Sequence, residues 1–169
     1  MEVPSGGDML YHECSATEVL KRRGDSPMSN FRAPVPGAVR VLVADSHAAV
    51  RRALAMSVEA YDDLHLVGNT ATGEEAIRVC ACTQPDVVLL DVSLPDMTGA
   101  AVIRAIHRLY PRISIIALST FQEERLAGEV LNAGAVSYLL KNVSAEQLAR
   151  AIRAAYAGQP RLQPDLPPN

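Results

Sequence analysis

Four apolar residues, Val87-Val88-Leu89-Leu90, run straight into a carboxylate, Asp91, and a loop signal, Ser93-Leu94-Pro95-Asp96-Met97-Thr98-Gly99, follows at once. No polar residue alternates through the run. That suits a strand buried on both faces, which in turn requires a parallel sheet with helices on two sides. Asp91 then stands at the carboxyl end of the strand, where open α/β sheets place their ligands.

The rest of the chain agrees with such a sheet. From Val39 onward, strands and amphipathic helices alternate through five units. The expected strands are Val39–Ala44, Leu64–Gly68, Val87–Leu90, Ile113–Leu118 and Ala135–Leu140. Val50, Leu54, Val58 and Tyr61 recur at helical spacing after the first strand, and Met56 reads as core beside them. Thr72-Gly73-Glu74-Glu75 and Ser144-Ala145-Glu146-Gln147 have capping-box spacing and open the second and fifth helices. The third helix carries Val102, Ile103, Ile106 and Tyr110 and stops before Pro111. Gly134 ends the fourth as a C′ residue. The fifth turns Leu148, Ile152 and Tyr156 inward and ends at Gly158 and Pro160. Short connections between βα units favour one doubly wound sheet with right-handed crossovers; strand order is not readable from the residues.

Residues 1–38 are rich in loop formers, and 159–169 are Pro-rich. They read as a mostly disordered leader and a tail around one folded domain, 39–158. The tail is too short for a helix-turn-helix. The net charge of −3 and the scattered basic residues give no grip on a phosphate backbone, so direct nucleic-acid binding is not expected. No apolar stretch reaches the roughly 20 residues of a membrane span, and the start has no signal-peptide pattern, which points to a cytoplasmic protein. Cys80 and Cys82 lie two apart in a helical pattern and face different ways, so Cys14, Cys80 and Cys82 are expected as reduced thiols.

With the strands so placed, their carboxyl ends bring Asp45 and Ser46, Asp91, Ser119 and Thr120, and Lys141 to one edge of the sheet. Singly, each has a plain explanation as a helix cap, a strand-end residue or a solvated cation. Four corresponding strand ends together point to a site. The chemistry suits phosphoryl transfer to a carboxylate, which needs charge management more than covalent help. Asp91 is the candidate nucleophile, and Lys141 and Ser119 would steady the phosphoryl group. Asp45, Asp91, the Ser93 carbonyl and the Ser46 hydroxyl are candidate ligands for Mg²⁺. His47 reads as a loop residue, and His65 and His107 suggest no site.

The stretches VRVLVADSHAAVRRAL, ATGEEAIRVCACTQPDVVLLDVSLPDMTG, IIALSTF and AGAVSYLLKNVSAEQLARAIRAAYAG resemble the receiver domain of two-component response regulators, in the flavour that carries a LuxR/NarL-type output. The resemblance runs from Val39 to about Leu162. It implies a flavodoxin-like (βα)5 fold with strand order 2-1-3-4-5, and a signalling domain rather than an enzyme. It further implies phosphorylation at Asp91 by a histidine kinase or phosphotransfer protein, with Mg²⁺ bound. Asp45 matches the first acid of the metal pair, Ser119 the switch hydroxyl, Lys141 the lysine, and Tyr138 the aromatic that turns inward on activation. The face of the fourth helix, fifth strand and fifth helix is where such receivers pair or meet a target, so a homodimer there is implied.

The sequence departs from the family at Ser46, normally a second acid. Losing one charge about 4 Å from a cation removes about 4 kcal/mol of gross attraction per unit charge at an effective dielectric near 20. Weak Mg²⁺ binding follows. Phe121, two residues beyond Ser119, is a candidate for controlling water access to the phosphoryl group, against a plain surface aromatic. Two other classes compete with the switch: a phosphorylation-independent pseudo-receiver that binds proteins, which Ser46 favours, and a small nucleotide-binding enzyme. The second lacks a Gly-rich phosphate loop after the first strand. With a tail too short for a helix-turn-helix, the chain reads either as a stand-alone receiver or as the receiver fragment of a DNA-binding transcription regulator.

Overall fold

The computed structural model describes residues 36–158. Apart from residues 36–38, the expected leader and tail lie outside them, as does Cys14. Elements alternate as β1 (Val39–Ala44), α1 (Ala48–Glu59), β2 (Leu64–Thr70), α2 (Gly73–Thr83), β3 (Val87–Asp91), α3 (Gly99–Leu109), β4 (Ser114–Ser119), α4 (Glu124–Asn132), β5 (Ser137–Leu140) and α5 (Ala145–Tyr156). All paired strands are parallel, in the order β2-β1-β3-β4-β5. This is the flavodoxin-like arrangement. Because every strand runs the same way, all five carboxyl ends share one edge.

The sheet separates two cores. Val88 and Leu90 of β3 pack with Leu42, Ile115, Ala117 and the inner faces of α2, α3 and α4. Val87 and Leu89 point the other way, onto α1 and α5 with Val41, Val43, Ile116 and Leu118. Every residue of β3 is buried, which explains its unbroken apolar run. At roughly 25 cal/mol per Å² of apolar surface removed from water, such a strand is the main anchor of both layers.

Local signals mostly do what their chemistry dictates. Ser144 and Gln147 close a reciprocal capping box at α5. Thr72 accepts from the Glu75 amide, but the Glu75 carboxylate reaches the Ala71 amide rather than closing the box on Thr72. Gly134 follows α4 with φ +118°, a conformation that favours glycine.

Three expectations fail. Met56 is 65% exposed, because it lies two residues from both buried Leu54 and Val58, on the far side of α1. Tyr156 is 55% exposed; the buried stripe of α5 runs through Leu148, Ile152 and Ala155 and leaves Tyr156 at its rim. Cys82 is disulfide-bonded. The spacing argument excludes only a bond to Cys80, which is a free buried thiol pushed up to about 12 by loss of hydration. Among the described residues no helix is long and apolar enough to cross a membrane.

Candidate functional site

Asp45 follows the last residue of β1, Asp91 closes β3, and Lys141 follows β5. Backbone bonds fix each of them. The Asp45 amide donates to the Thr70 carbonyl at 3.1 Å, and the Lys141 amide donates to the Ser119 carbonyl at 2.8 Å. Each carboxylate also ties down the loop behind it. Asp45 Oδ1 accepts the His47 amide at 2.8 Å, and Asp91 Oδ1 accepts the Ser93 amide at 3.0 Å. These are Asx turns, the usual reason for an acid at a strand-to-loop junction. Arg51 adds a clamp, its guanidinium donating to the Asp45 carbonyl at 2.7 Å.

The second oxygens face inward. Lys141 Nζ lies 2.6 Å from Asp45 Oδ2 and 3.0 Å from Asp91 Oδ2. Both carboxylates are fully or almost fully buried and the lysine nearly so, with side-chain exposures of 0%, 1% and 10%. No donor other than this ammonium reaches either Oδ2. One ammonium holds both acids, in a pocket of two acids and one base. Buried anions with unused lone pairs are costly unless something further satisfies them. Two carboxylates share a single positive charge, and a hard divalent ion satisfied by one or two carboxylates plus water and substrate oxygens suits the negative charge left over. One donor atom each of Asp45, His47 and Asp91 lies within 4.8 Å of the others.

The remaining residues singled out in the sequence are placed less uniformly. Ser119 is buried at the end of β4, but its hydroxyl donates to the Phe121 carbonyl at 2.9 Å and accepts the Phe121 amide at 3.2 Å. It therefore engages its own loop. Tyr138 is already buried, and its phenol donates to the same Phe121 carbonyl at 2.6 Å. The Phe121 ring itself is 69% exposed. Ser46 Oγ lies 3.2 Å from His47 Nδ1. Ser93 is exposed and contributes its amide to Asp91.

Two participants carried no clear sequence signal. His47, read as a loop residue, sits at the N-cap of α1 with Nδ1 3.6 Å from Asp45 Oδ1. Asp96, in the loop after Asp91, accepts the Gly73 and Glu74 amides at 2.8 and 2.9 Å, capping α2 from 22 and 23 residues away. Those amides, Glu74 first, hold its carboxyl below the usual range. Glycine at position 99 lets that loop close: a Cβ there would stand 2.7 Å from Val92 Cα.

Two carboxylates and a lysine at the ends of β1, β3 and β5, in a sheet ordered 2-1-3-4-5, invite comparison with known proteins. The response regulator receiver domain family matches residues 41–153. The chain belongs to that family. Receivers of this kind serve phosphorelay signal transduction. The transcriptional regulatory protein LiaR of Bacillus subtilis is 38% identical over 125 residues, which are 74% of this chain and 59% of that protein. Response regulator GacA of Pseudomonas viridiflava is 34% identical over 128 residues, 76% of this chain and 60% of its own. The chain thus spans about three fifths of the length of these curated relatives. Among solved structures, the signal receiver domain of the putative response regulator NarL from Mycobacterium tuberculosis superposes with a TM-score of 0.71 at 27% identity, covering 73% of this chain and all of that one. Another match is a LuxR-family response regulator from Aurantimonas, with a TM-score of 0.71 at 29% identity, covering 76% of this chain and 91% of that one. The receiver fold and family expected from the sequence are therefore borne out.

Proposed function

We propose that this receiver takes a phosphoryl group on Asp91 from a histidine kinase or phosphotransfer protein and passes the event on through a protein-interaction surface. The observation that carries this is the buried Asp45–Lys141–Asp91 group, in which two carboxylates share one ammonium and no second donor reaches either Oδ2. An Asp91 oxygen attacks phosphorus, the bond from phosphorus to the donor's imidazole nitrogen breaks, and the imidazole leaves with its electron pair. Lys141 balances charge on the incoming group, and the Ser93 amide already donates at the carboxylate. Asp45 and Asp91 would hold Mg²⁺, with the Ser93 carbonyl and the Ser46 hydroxyl as further candidates. The ion supplies neutralisation of the phosphoryl oxygens. Ser46 leaves that binding weak.

Ser119 would turn from Phe121 to the phosphoryl oxygens, and the readout would reach α4, β5 and α5 by a shift between two packings. A homodimer through that face, a cytoplasmic setting and no direct contact with nucleic acid complete the reading. Phe121 stands on the Ser119 loop, where its bulk would shield the phosphoryl group from water.

Acetyl phosphate with Mg²⁺, followed by intact mass, tests the central step. One phosphoryl adduct on the wild type and none on Asp91→Asn is expected; an unlabelled wild type overturns it. A second reading, a binding module that works without phosphorylation, draws on Ser46 turned to His47 instead of supplying a second acid.

A further inference from the structure

One group at the site has no task in phosphoryl transfer. His47 occupies the N-cap of α1, yet its side chain caps nothing. The imidazole is 70% exposed, with Nδ1 3.2 Å from Ser46 Oγ and 3.6 Å from Asp45 Oδ1, so this nitrogen faces the acids. A second observation points to a ligand there. Asp45 and Asp91, both buried, share the Lys141 ammonium through their Oδ2 atoms, and no second donor reaches either oxygen, so lone pairs and one net negative charge are left for a ligand.

We propose that His47 completes a three-residue site with Asp45 and Asp91 that takes a borderline first-row divalent cation, in the range Mn²⁺ to Zn²⁺, in preference to Mg²⁺. This rests on the reading of the site as a phosphoacceptor centre that works with a divalent ion. Mg²⁺ is hard, prefers oxygen and gains most from anionic ligands. Here the neighbour of Asp45 is a neutral hydroxyl, which lowers the attraction that a hard ion relies on. Imidazole nitrogen is a good ligand for later first-row ions and a poor one for Mg²⁺, so adding it shifts selectivity by ligand softness. The geometry allows it. Metal–ligand bonds of about 2.1 Å keep donor atoms within about 4.2 Å of one another. The present spread of up to 4.8 Å closes with a small swing of the exposed ring. Nδ1 must present its lone pair, which places the ring proton on Nε2, the far nitrogen.

Calorimetric titration of the full chain with MgCl₂, MnCl₂ and ZnCl₂ tests this, with His47→Ala and Asp91→Asn beside the wild type. The expected result is tighter binding of Mn²⁺ and Zn²⁺ than of Mg²⁺. In His47→Ala, Zn²⁺ and Mn²⁺ affinity should fall about tenfold or more while Mg²⁺ affinity changes less than about twofold. Loss of the Zn²⁺ site in Asp91→Asn assigns the binding to this cluster rather than to a surface histidine. A Zn²⁺-to-Mg²⁺ ratio unchanged by His47→Ala overturns the proposal. His47 is exposed, so an unaltered urea midpoint for the variant is expected and separates ligand loss from misfolding. If acetyl phosphate with Mg²⁺ leaves the chain unlabelled while His47-dependent binding persists, the phosphoacceptor reading fails and the cation site stands. Labelling with a metal preference that His47→Ala leaves untouched sinks the cation site alone.

Discussion

Two carboxylate–cation groups sit at opposite edges of the sheet and follow opposite rules. At the amino edge, Asp63, just before β2, meets Arg153 of α5. Arg153 Nε and Nη2 donate to the two carboxylate oxygens at 2.6 and 2.8 Å, and the guanidinium lies 5.0 Å from the centre of the Tyr61 ring. Every oxygen has a donor, and both side chains are about half exposed. At the carboxyl edge, two buried acids share one ammonium, and neither Oδ2 has a second donor. The exposed pair is well made and worth little, because water competes and salt screens it. The buried group is poorly satisfied and costly. A fold that keeps such a group does so for what it can bind, not for stability.

The sharpest break of this comparison is an asymmetry at the buried site. Lys141→Met leaves two buried carboxylates facing each other and should destabilise the domain by about 3 kcal/mol in urea unfolding. Asp91→Asn leaves one acid balanced by one base and should be neutral or stabilising. Equal losses from both variants would show the trio to be an ordinary structural ion pair. Next in size, Gly99→Ala drives a methyl into the Val92 backbone and should cost about 2 kcal/mol while slowing labelling of Asp91, since it deforms the loop behind that residue.

Asp96→Ala removes the carboxylate cap from α2 and should cost about 1 kcal/mol, read as a drop in thermal midpoint. Smallest is Arg153→Ala, at about 0.5 kcal/mol and shrinking with added salt. Its pH dependence has a definite sign. The hydrogen bond from Arg153 holds the Asp63 carboxyl below its ordinary 3.8. That contribution is therefore present above pH ~4 and lost as pH falls through the lower folded value. The difference between wild type and Arg153→Ala should vanish on acidification, measured by urea midpoints across pH 2–6.

How much of this was legible in the residues depends on range. β3 was readable because burial on both faces erases alternation, and the site edge followed from strands ending in Asp45, Asp91, Ser119 and Lys141. Local capping was readable at Ser144, where donor and acceptor lie three residues apart. Gln84 was not: it ends α2 with φ +45°, a job that usually advertises itself with glycine. Met56 misled because an apolar residue inside a helix looks like core until its phase against Leu54 and Val58 is drawn. Asp96 on α2 and Arg153 on Asp63 join residues 22 to 90 apart, and nothing in spacing foretells them. The direction of Ser119 was equally hidden, since a hydroxyl has several acceptors within reach and only the folded loop chooses.

The Phe121 carbonyl receives two hydroxyls, one from the fourth strand's end and one from the fifth strand. An oxygen with two lone pairs can lose either donor and stay solvated by the other. If Ser119 rotates away, the phenol of Tyr138 has every reason to remain where it is. Whatever travels outward would then start as slack in the Ser119–Glu123 backbone, which α4 hangs from, with the ring as a fixed post instead of a moving part.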